Sequence, residues 1–383
     1  MLLAMLLIAS CSAPAQPMAQ TPMATERATE QPTSLPTSVL ATNSPQPSPT
    51  ALPTNTPPGV GPDTYPENIN PLTGKSVSDP ELLERRPVMI KVSNYPASLR
   101  PHSGLSYADL VWEYFIGVGM TRFLALYYGE NSPQVGPVRS GRLIDPQLAL
   151  LYGGVLGIAS ADAYVFEQIR EMLPQRYVSQ TPATCPSFCR ENLQSGVFVD
   201  TAGFTEYVRA KGFENSAPAL QGMKFDSQPP AGGKPASYFW IYFSYYDQVA
   251  WDYDPVTGLY LRSQEVTQED KTVQLQPITD RLTDEQLAFE NVVILYAAHE
   301  ILKPELIDTH LLNVEGMRAQ IMRDGRLYEA TYADVTGRTP LRFFDRLGNP
   351  FPFKPGSTWF TVVGLATELE MLEGGSWKMR FYP

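Results

Sequence analysis

Leu110-Val111-Trp112-Glu113-Tyr114-Phe115-Ile116 followed by Arg122-Phe123-Leu124-Ala125-Leu126-Tyr127-Tyr128 is the pair of segments on which the fold turns. Both are rich in aromatic and branched residues, which suit a pleated surface, and Gly119-Met120-Thr121 makes a turn between them, so they read as two strands. Val88-Met89-Ile90-Lys91-Val92, closed by Asn94-Tyr95-Pro96, reads as the strand before them. After them, residues 144–152 read as a helix, Val155-Leu156-Gly157-Ile158 as a short buried strand, and 164–173 as an amphipathic helix. A further helix over 204–211 ends at Gly212. Strands alternating with helices predict an N-terminal α/β sandwich domain over residues 66–225.

Pro229-Pro230 and Gly232-Gly233 mark a boundary, and strands follow it almost without helices. Tyr238 to Phe243, Ala250 to Tyr253, Leu259 to Arg262, Val292 to Tyr296, Ala319 to Met322, Arg326 to Ala330, Leu341 to Phe344 and Thr358 to Val363 are the segments. Asp254 to Gly258 and Arg323-Asp324-Gly325 are hairpin turns. Residues 226–383 are therefore expected to form a mostly antiparallel β domain, and the whole chain to be α+β. Trp240, Tyr242, Tyr245, Trp251, Tyr253 and Tyr260 either fill its core or stack on sugars.

The first 65 residues have a different character. Leu6-Leu7-Ile8-Ala9-Ser10-Cys11 is an apolar run closed by two small residues and a cysteine, the form of a bacterial lipoprotein signal. On that reading residues 1–11 are the signal and Cys11 carries the lipid. Ala13-Pro14-Ala15 offers a rival cleavage site of A-x-A form. The apolar run is too short to span a bilayer, which takes about 20 residues. Residues 12–65 hold 12 of the 36 prolines, with Ser, Thr, Ala and Gln and little charge. Such a stretch buries too little surface to offset its ordering entropy, so it reads as a disordered stalk.

The net charge is −11. An acidic chain disfavours nucleic acid as a partner, since phosphate binding needs clustered Lys and Arg. It also leaves the lipid to supply the membrane contact. Besides Cys11 there are only Cys185 and Cys189. In an oxidising compartment they form a small-loop disulfide or remain thiols; a zinc site would need two more ligands, and no His or Cys lies near in sequence. No metal, cofactor or catalytic residue is assigned.

Chemistry-bearing residues gather at element ends. Arg100-Pro101-His102 leads into Asp109 and Glu113, Arg122 follows a turn, and Gly136-Pro137-Val138-Arg139-Ser140-Gly141-Arg142 leads into the first helix. In open α/β sheets ligands sit in the crevice outside strand ends. With Ser140 as a helix N-cap, the guanidinium groups of Arg100, Arg122, Arg139 and Arg142 would bind an anion beside His102, Asp109 and Glu113. The competing reading pairs Arg122, Arg139 and Arg142 with Asp109, Glu113 and Asp145 to lock loops. No phosphate loop, no nucleophile elbow and no histidine metal spacing is present.

Several runs have a family likeness. Asn70-Pro71-Leu72-Thr73-Gly74, Arg86-Pro87, Asn94, Arg100-Pro101-x-Ser103-Gly104-Leu105-Ser106-x-Ala108-Asp109, Glu113, Thr121-Arg122-Phe123 and Gly136 to Ser140 resemble YerB-type bacterial lipoproteins, domain-of-unknown-function family 3048. Tyr253-Asp254, Thr257-Gly258-x-Tyr260-x-Arg262, Asp324-Gly325, Asp345-x-x-Gly348 and Pro355-Gly356-x-Thr358-Trp359 extend the resemblance over residues 68–363. It implies an envelope lipoprotein with an N-terminal and a C-terminal domain and no established activity. His102 stands where the family has Gln, Gly141 where it has Ala, and Glu191-Asn192-Leu193 resembles His-Asn-Leu without the His.

The expected function is a non-catalytic binding lipoprotein on the extracytoplasmic face of the cell membrane, with an anionic cell-wall component or an envelope protein as partner. The alternative is an envelope glycan or peptide hydrolase or transferase using Asp109 or Glu113. A third reading is an assembly factor for wall enzymes.

Overall fold

The computed structural model describes residues 59–181, 183–190, 196–268 and 270–383. Cys11, the lipoprotein signal, most of the Pro-rich stretch and Glu191-Asn192-Leu193 lie outside them. In chain order the strands that build the two main sheets start with β1 (Val88–Ser93), β2 (Leu110–Phe115), β3 (Thr121–Tyr127), β4 (Val155–Ile158) and β5 (Tyr177–Ser179). Next come β6 (Tyr238–Ser244), β7 (Asp247–Asp254), β8 (Leu259–Thr267) and β9 (Val273–Pro277). β10 (Asn291–Ala297), β11 (Met317–Arg323), β12 (Arg326–Ala333), β13 (Arg342–Phe344), β14 (Thr358–Gly364), β15 (Glu368–Met371) and β16 (Ser376–Arg380) follow, and the two-residue strands Lys234–Pro235 and Ala288–Phe289 pair with β12 and β8. Helices α1 (Ile144–Leu151), α2 (Ala163–Met172) and α3 (Thr201–Ala210) all lie between β3 and β6 in sequence.

The expected segmentation into strands and helices is largely present, but the sheets are not divided as the composition shift suggested. One central sheet runs β13-β12-β11-β10-β14-β2-β3-β1-β4-β5 and so takes strands from both sides of residue 226. β14 lies parallel to β10 on one side and to β2 on the other. The sheet is mixed: β1–β4 and β4–β5 are also parallel, and the remaining pairs along it are antiparallel. β6 to β9, β15 and β16 form a second sheet, antiparallel except where β6 meets β16. The fold is thus mostly β, with a few helices.

Strand composition follows from this layering. β1, β10 and β14 are buried along their whole length, as strands covered on both faces must be, and they read as continuous apolar runs rather than alternations. β6 alternates buried and half-exposed residues because only one of its faces is covered. α1 and α2 pack on one face of the central sheet through Leu148, Leu151, Val165 and Ile169, against Trp112, Leu124 and Phe360. The second sheet and α3 cover the other face, where Phe239, Trp251, Tyr260 and Phe204 meet Val111, Phe123, Val292 and Trp359. The seam between β2 and β14 is held by Trp112 stacked on Phe360, ring centres 4.2 Å apart.

Local signals account for the element ends. Asp162 and Asp200 cap α2 and α3 by accepting the N–H of Tyr164 and Ala202; the second cap starts α3 one turn earlier than the apolar pattern suggests. Ser140 is not a cap: Leu143 holds that position, and Pro146 in the first turn of α1 costs no intrahelical bond. Asp324 and Gly325, both with positive φ, form the two-residue turn between β11 and β12.

Candidate functional site

The register of β2 and β3 decides which charged side chains can meet. Arg122 is paired with Tyr114, and Phe123 with Glu113, so Arg122 and Glu113 point to opposite faces of the central sheet.

Glu113 lies between the two sheets with its side chain fully buried. Arg262 on β8 donates to it through both terminal nitrogens, at 2.9 and 3.1 Å. Trp359 Nε1 and Thr121 Oγ1 donate at 3.0 and 3.1 Å, and the Arg262 guanidinium lies 4.1 Å from the centre of the Trp359 ring. Arg100 is taken up nearby by Glu265, at 2.8 Å, and by the Asn94 carbonyl. Asp247 accepts the Thr121 N–H at 2.6 Å; burial, then the charges of Glu113 and Glu265, push its carboxyl up to about 8. His102 is buried edge-on against Phe123. Burial, then Arg100, holds its imidazole down to about 3. This layer is an internal lock, and Glu113, Arg100 and His102 are not at the strand-end arginines.

Asp109 is a second interior carboxylate. It accepts from Asn70 Nδ2 at 2.7 Å and from the N–H groups of Tyr128 and Gly129 at 2.5 and 3.1 Å. Burial pushes it up to about 6 against those bonds. The acid–base role that a hydrolase would give Asp109 or Glu113 therefore falls on carboxylates whose oxygens are already engaged inside the fold.

Arg122, Arg139, Ser140 and Arg142 do come together. They lie where β1 and β4, two parallel strands, reach their C-terminal ends. The segment 139–141 is clamped there: Arg139 N donates to the Lys91 carbonyl, Ala159 N to the Arg139 carbonyl and Gly141 N to the Ser160 carbonyl. Arg122 and Arg142 converge on one acceptor, the Ser140 carbonyl, at 2.9 and 3.4 Å, and Arg142 also reaches the Gly141 carbonyl at 2.9 Å. Ser140 Oγ and Ser160 Oγ are 2.8 Å apart in an exposed position. Burial pushes Arg122 down to about 9, with further lowering from Arg142 and then Arg139. Burial also lowers Arg139 and Arg142. Arg122 is thus within electrostatic reach of both other arginines, while Glu305 and Asp162 act on Arg142 in the opposite sense.

Under the arginines lies a group the site expectation did not include. Lys91 Nζ, fully buried, donates to Tyr114 Oη and, at 3.2 Å, to Asp145 Oδ1. The other oxygen of Asp145 accepts the Arg142 N–H at 2.6 Å, and Tyr114 Oη also donates to Asp145. Burial pushes Lys91 down to about 7, opposed by Asp145 and reinforced by Arg122 and Arg142. A lysine in the middle of an otherwise apolar strand is the sequence signal for it. Asp145 is thus occupied by Lys91, Tyr114 and a backbone N–H. Among the described residues none of Arg122, Arg139 and Arg142 forms an ion pair, and the pairing expected with Asp109, Glu113 and Asp145 does not occur. Glu305 is near enough to act on Arg122 and Arg142. It is exposed in the turn of the hairpin His299–Lys303 to Leu306–Thr309. That turn presses on Gly117 (φ +95°), where a Cβ would strike the Pro304 backbone.

Cys185 and Cys189 are joined in a disulfide, with Cα atoms 4.6 Å apart. Among the described residues no cluster of His, Cys, Asp and Glu has the makings of a metal site. Of the aromatic residues weighed for sugar stacking, Trp251 and Tyr260 belong to the core, whereas Trp240 and Tyr242 line an open groove with Lys378, Arg380 and Tyr382.

Residues 72–214 match the N-terminal domain, and residues 240–360 the C-terminal domain, of the family described as Protein of unknown function (DUF3048). The chain belongs to this family. A Bacillus subtilis (strain 168) protein named "Putative lipoprotein YerB" is 28% identical over 304 residues, covering 76% of this chain and 85% of that protein. The crystal structure of the YerB protein from Bacillus subtilis superposes with a TM-score of 0.61 at 25% identity, over 77% of this chain and 96% of that one. The family's two matched regions fall on either side of residue 226, so its domain names follow the sequence, while the central sheet takes strands from both.

Proposed function

We propose that this protein is a lipid-anchored envelope protein that binds an anionic ligand, a carboxylate or phosphate of the cell wall or of an envelope partner, through Arg122, Arg139 and Arg142. The observation that carries the reading is that Arg122 and Arg142 converge on the Ser140 carbonyl beside Arg139 at strand ends, with no ion-pair partner among the described residues. Taking three cations out of bulk water beside one another is unfavourable, and an anion removes that cost. Guanidinium forks suit carboxylate and phosphate oxygens bidentately. The site also stands at the C-terminal ends of parallel strands, where α/β sheets commonly seat ligands.

The name of the Bacillus relative supports the anchor, as does Ile8-Ala9-Ser10-Cys11 in this sequence. On this reading residues 12–65 are a stalk between the membrane and the domains assigned to 66–225 and 226–383, and the protein faces outward from the cell membrane. Fractionation tests the anchor. Wild type goes with membranes and Cys11→Ala is released; equal membrane association of both would remove the lipid from the account.

A pull-down on isolated cell wall tests the site. Wild type is retained at low salt and Arg139→Ala is not, with unchanged far-UV circular dichroism. Retention of Arg139→Ala equal to wild type would rule out the arginine cluster as the binding site.

A further inference from the structure

We propose that the outer face of the second sheet is a further ligand site, independent of the arginine cluster, and that it binds an uncharged glycan. The strand register builds it. β6 and β16 run in parallel, with Trp240 beside Lys378 and Tyr242 beside Arg380. β15 pairs with the other side of β16, so that Glu370 stands beside Lys378 and Glu368 beside Arg380. Residues two apart on a strand share a face. The six side chains therefore form two rows across three strands, each running aromatic ring, cation, carboxylate. With Tyr382 they line an open groove of about 640 Å³, a size usual for small-ligand sites.

The groove is held in place from both ends of the rows. Lys378 is paired with Glu370 at 2.9 Å. The Arg380 guanidinium lies 5.3 Å from the centre of the Tyr242 ring and 6.0 Å from that of Tyr382. The chain beyond β16 is tied down: Phe381 N donates to the Tyr242 carbonyl and Tyr382 N to Thr367 Oγ1, both at 3.0 Å. Trp240 and Tyr242 meet at 74° with ring centres 6.1 Å apart, which makes a corner rather than a flat platform.

These features select the ligand class. The uncovered face of a one-sided sheet is normally polar, yet β6 places two large rings there, both part-exposed. A pyranose presents C–H groups on its face, which pack against an aromatic ring, and a rim of hydroxyls that both donate and accept. In each row the cation can donate to such a hydroxyl and the carboxylate can accept from one. A small anion gains less, because each cation already has a carboxylate beside it. The core of a protein–protein interface is depleted of charge, whereas four charged groups stand among these rings. The two carboxylates also oppose contact with an anionic membrane surface.

Titration calorimetry with cellotetraose, maltotetraose and N-acetylated chitotetraose tests the assignment. Wild type should bind at least one of them, and Arg139→Ala should bind it equally. Trp240→Ala and Tyr242→Ala should each weaken that binding at least about tenfold, or ~1.4 kcal/mol. Arg380→Ala, at an exposed position, should weaken it as well and replaces no packed ring. Binding of none of the three sugars overturns the proposal, and so does undiminished binding by Trp240→Ala and Arg380→Ala. Sedimentation of wild type with uncharged phosphatidylcholine vesicles in place of sugar binding, lost in Trp240→Ala, would assign the rings to a lipid surface instead. An excess of the bound tetrasaccharide in the cell-wall pull-down takes this groove out of that measurement, so the two sites fail separately.

Discussion

On one face of the central sheet Arg262 is held by Glu113, Trp359 and the rings around it; on the other, Arg122 and Arg142 lean on backbone carbonyls, and neither they nor Arg139 pair with a carboxylate among the described residues. Both groups lie beside β2 and β3, and both lose much of their hydration. They differ in saturation. In the Glu113 layer the two buried arginines each meet a carboxylate, so those charges belong to the fold. The strand-end cluster is half-buried and unmatched, so its charges remain free to meet something else. Burial of an arginine is therefore weak evidence of role; whether a carboxylate answers it separates a lock from a site.

Removing the answering partner gives the largest expected effect. Arg262→Met leaves Glu113 buried without its cation and should cost about 3–5 kcal/mol, read as a fall in the denaturation midpoint. A loss within about 0.5 kcal/mol would mean that Glu113 can be hydrated in place, and the contrast between the two faces would collapse.

Next comes pH. Asp247 is held up to about 8 in the folded chain against an ordinary value near 3.8, so its contribution to stability is full below the lower value and is lost as pH rises through the higher one. Wild type should lose stability as pH rises to about 8, most visibly between about pH 6.5 and 8 where His102 no longer opposes it, and Asp247→Asn, which keeps an acceptor for the Thr121 N–H, should flatten that slope. The same slope in both proteins would place the titrating group elsewhere. On the acid side His102, held neutral in the fold, has the opposite sign: stability falls as pH drops below about 6.5.

The smallest effect belongs to the other face. Arg139→Ala should change stability by no more than about 0.5 kcal/mol, in the stabilising direction because a repulsive charge is removed. A loss of several kcal/mol would show Arg139 to be a lock like Arg262.

Much of this was legible in the chain. The apolar runs located β1 to β4, β6, β10, β12 and β14, Asp324-Gly325 located a hairpin, and Gly136 to Arg142 pointed to the strand-end cluster. Pairing was not legible: a continuous apolar strand such as Thr358 to Gly364 shows that it is covered on both faces, not which strands cover it. Nor was facing, because no turn in the sequence fixes the register of β2 against β3 to the residue, and one step moves a side chain to the other face. That step separated Glu113 from Arg122. Ser140 failed as a cap because the chain stays clamped to residues 91 and 160 before α1 begins.

The placement of β14 has a consequence for how the chain is made. Glu113 and Thr361, on adjacent strands, are 248 residues apart. When synthesis has delivered only the first half, β2 is an edge with unpaired N–H and C=O groups and an apolar surface on either side. Such an edge is a template for pairing with another chain, and domains otherwise tend to fold in order from the N-terminus. The early half must then wait as an incomplete sheet until nearly the last strand arrives, so truncation before residue 358 should produce aggregates rather than a free-standing N-terminal domain.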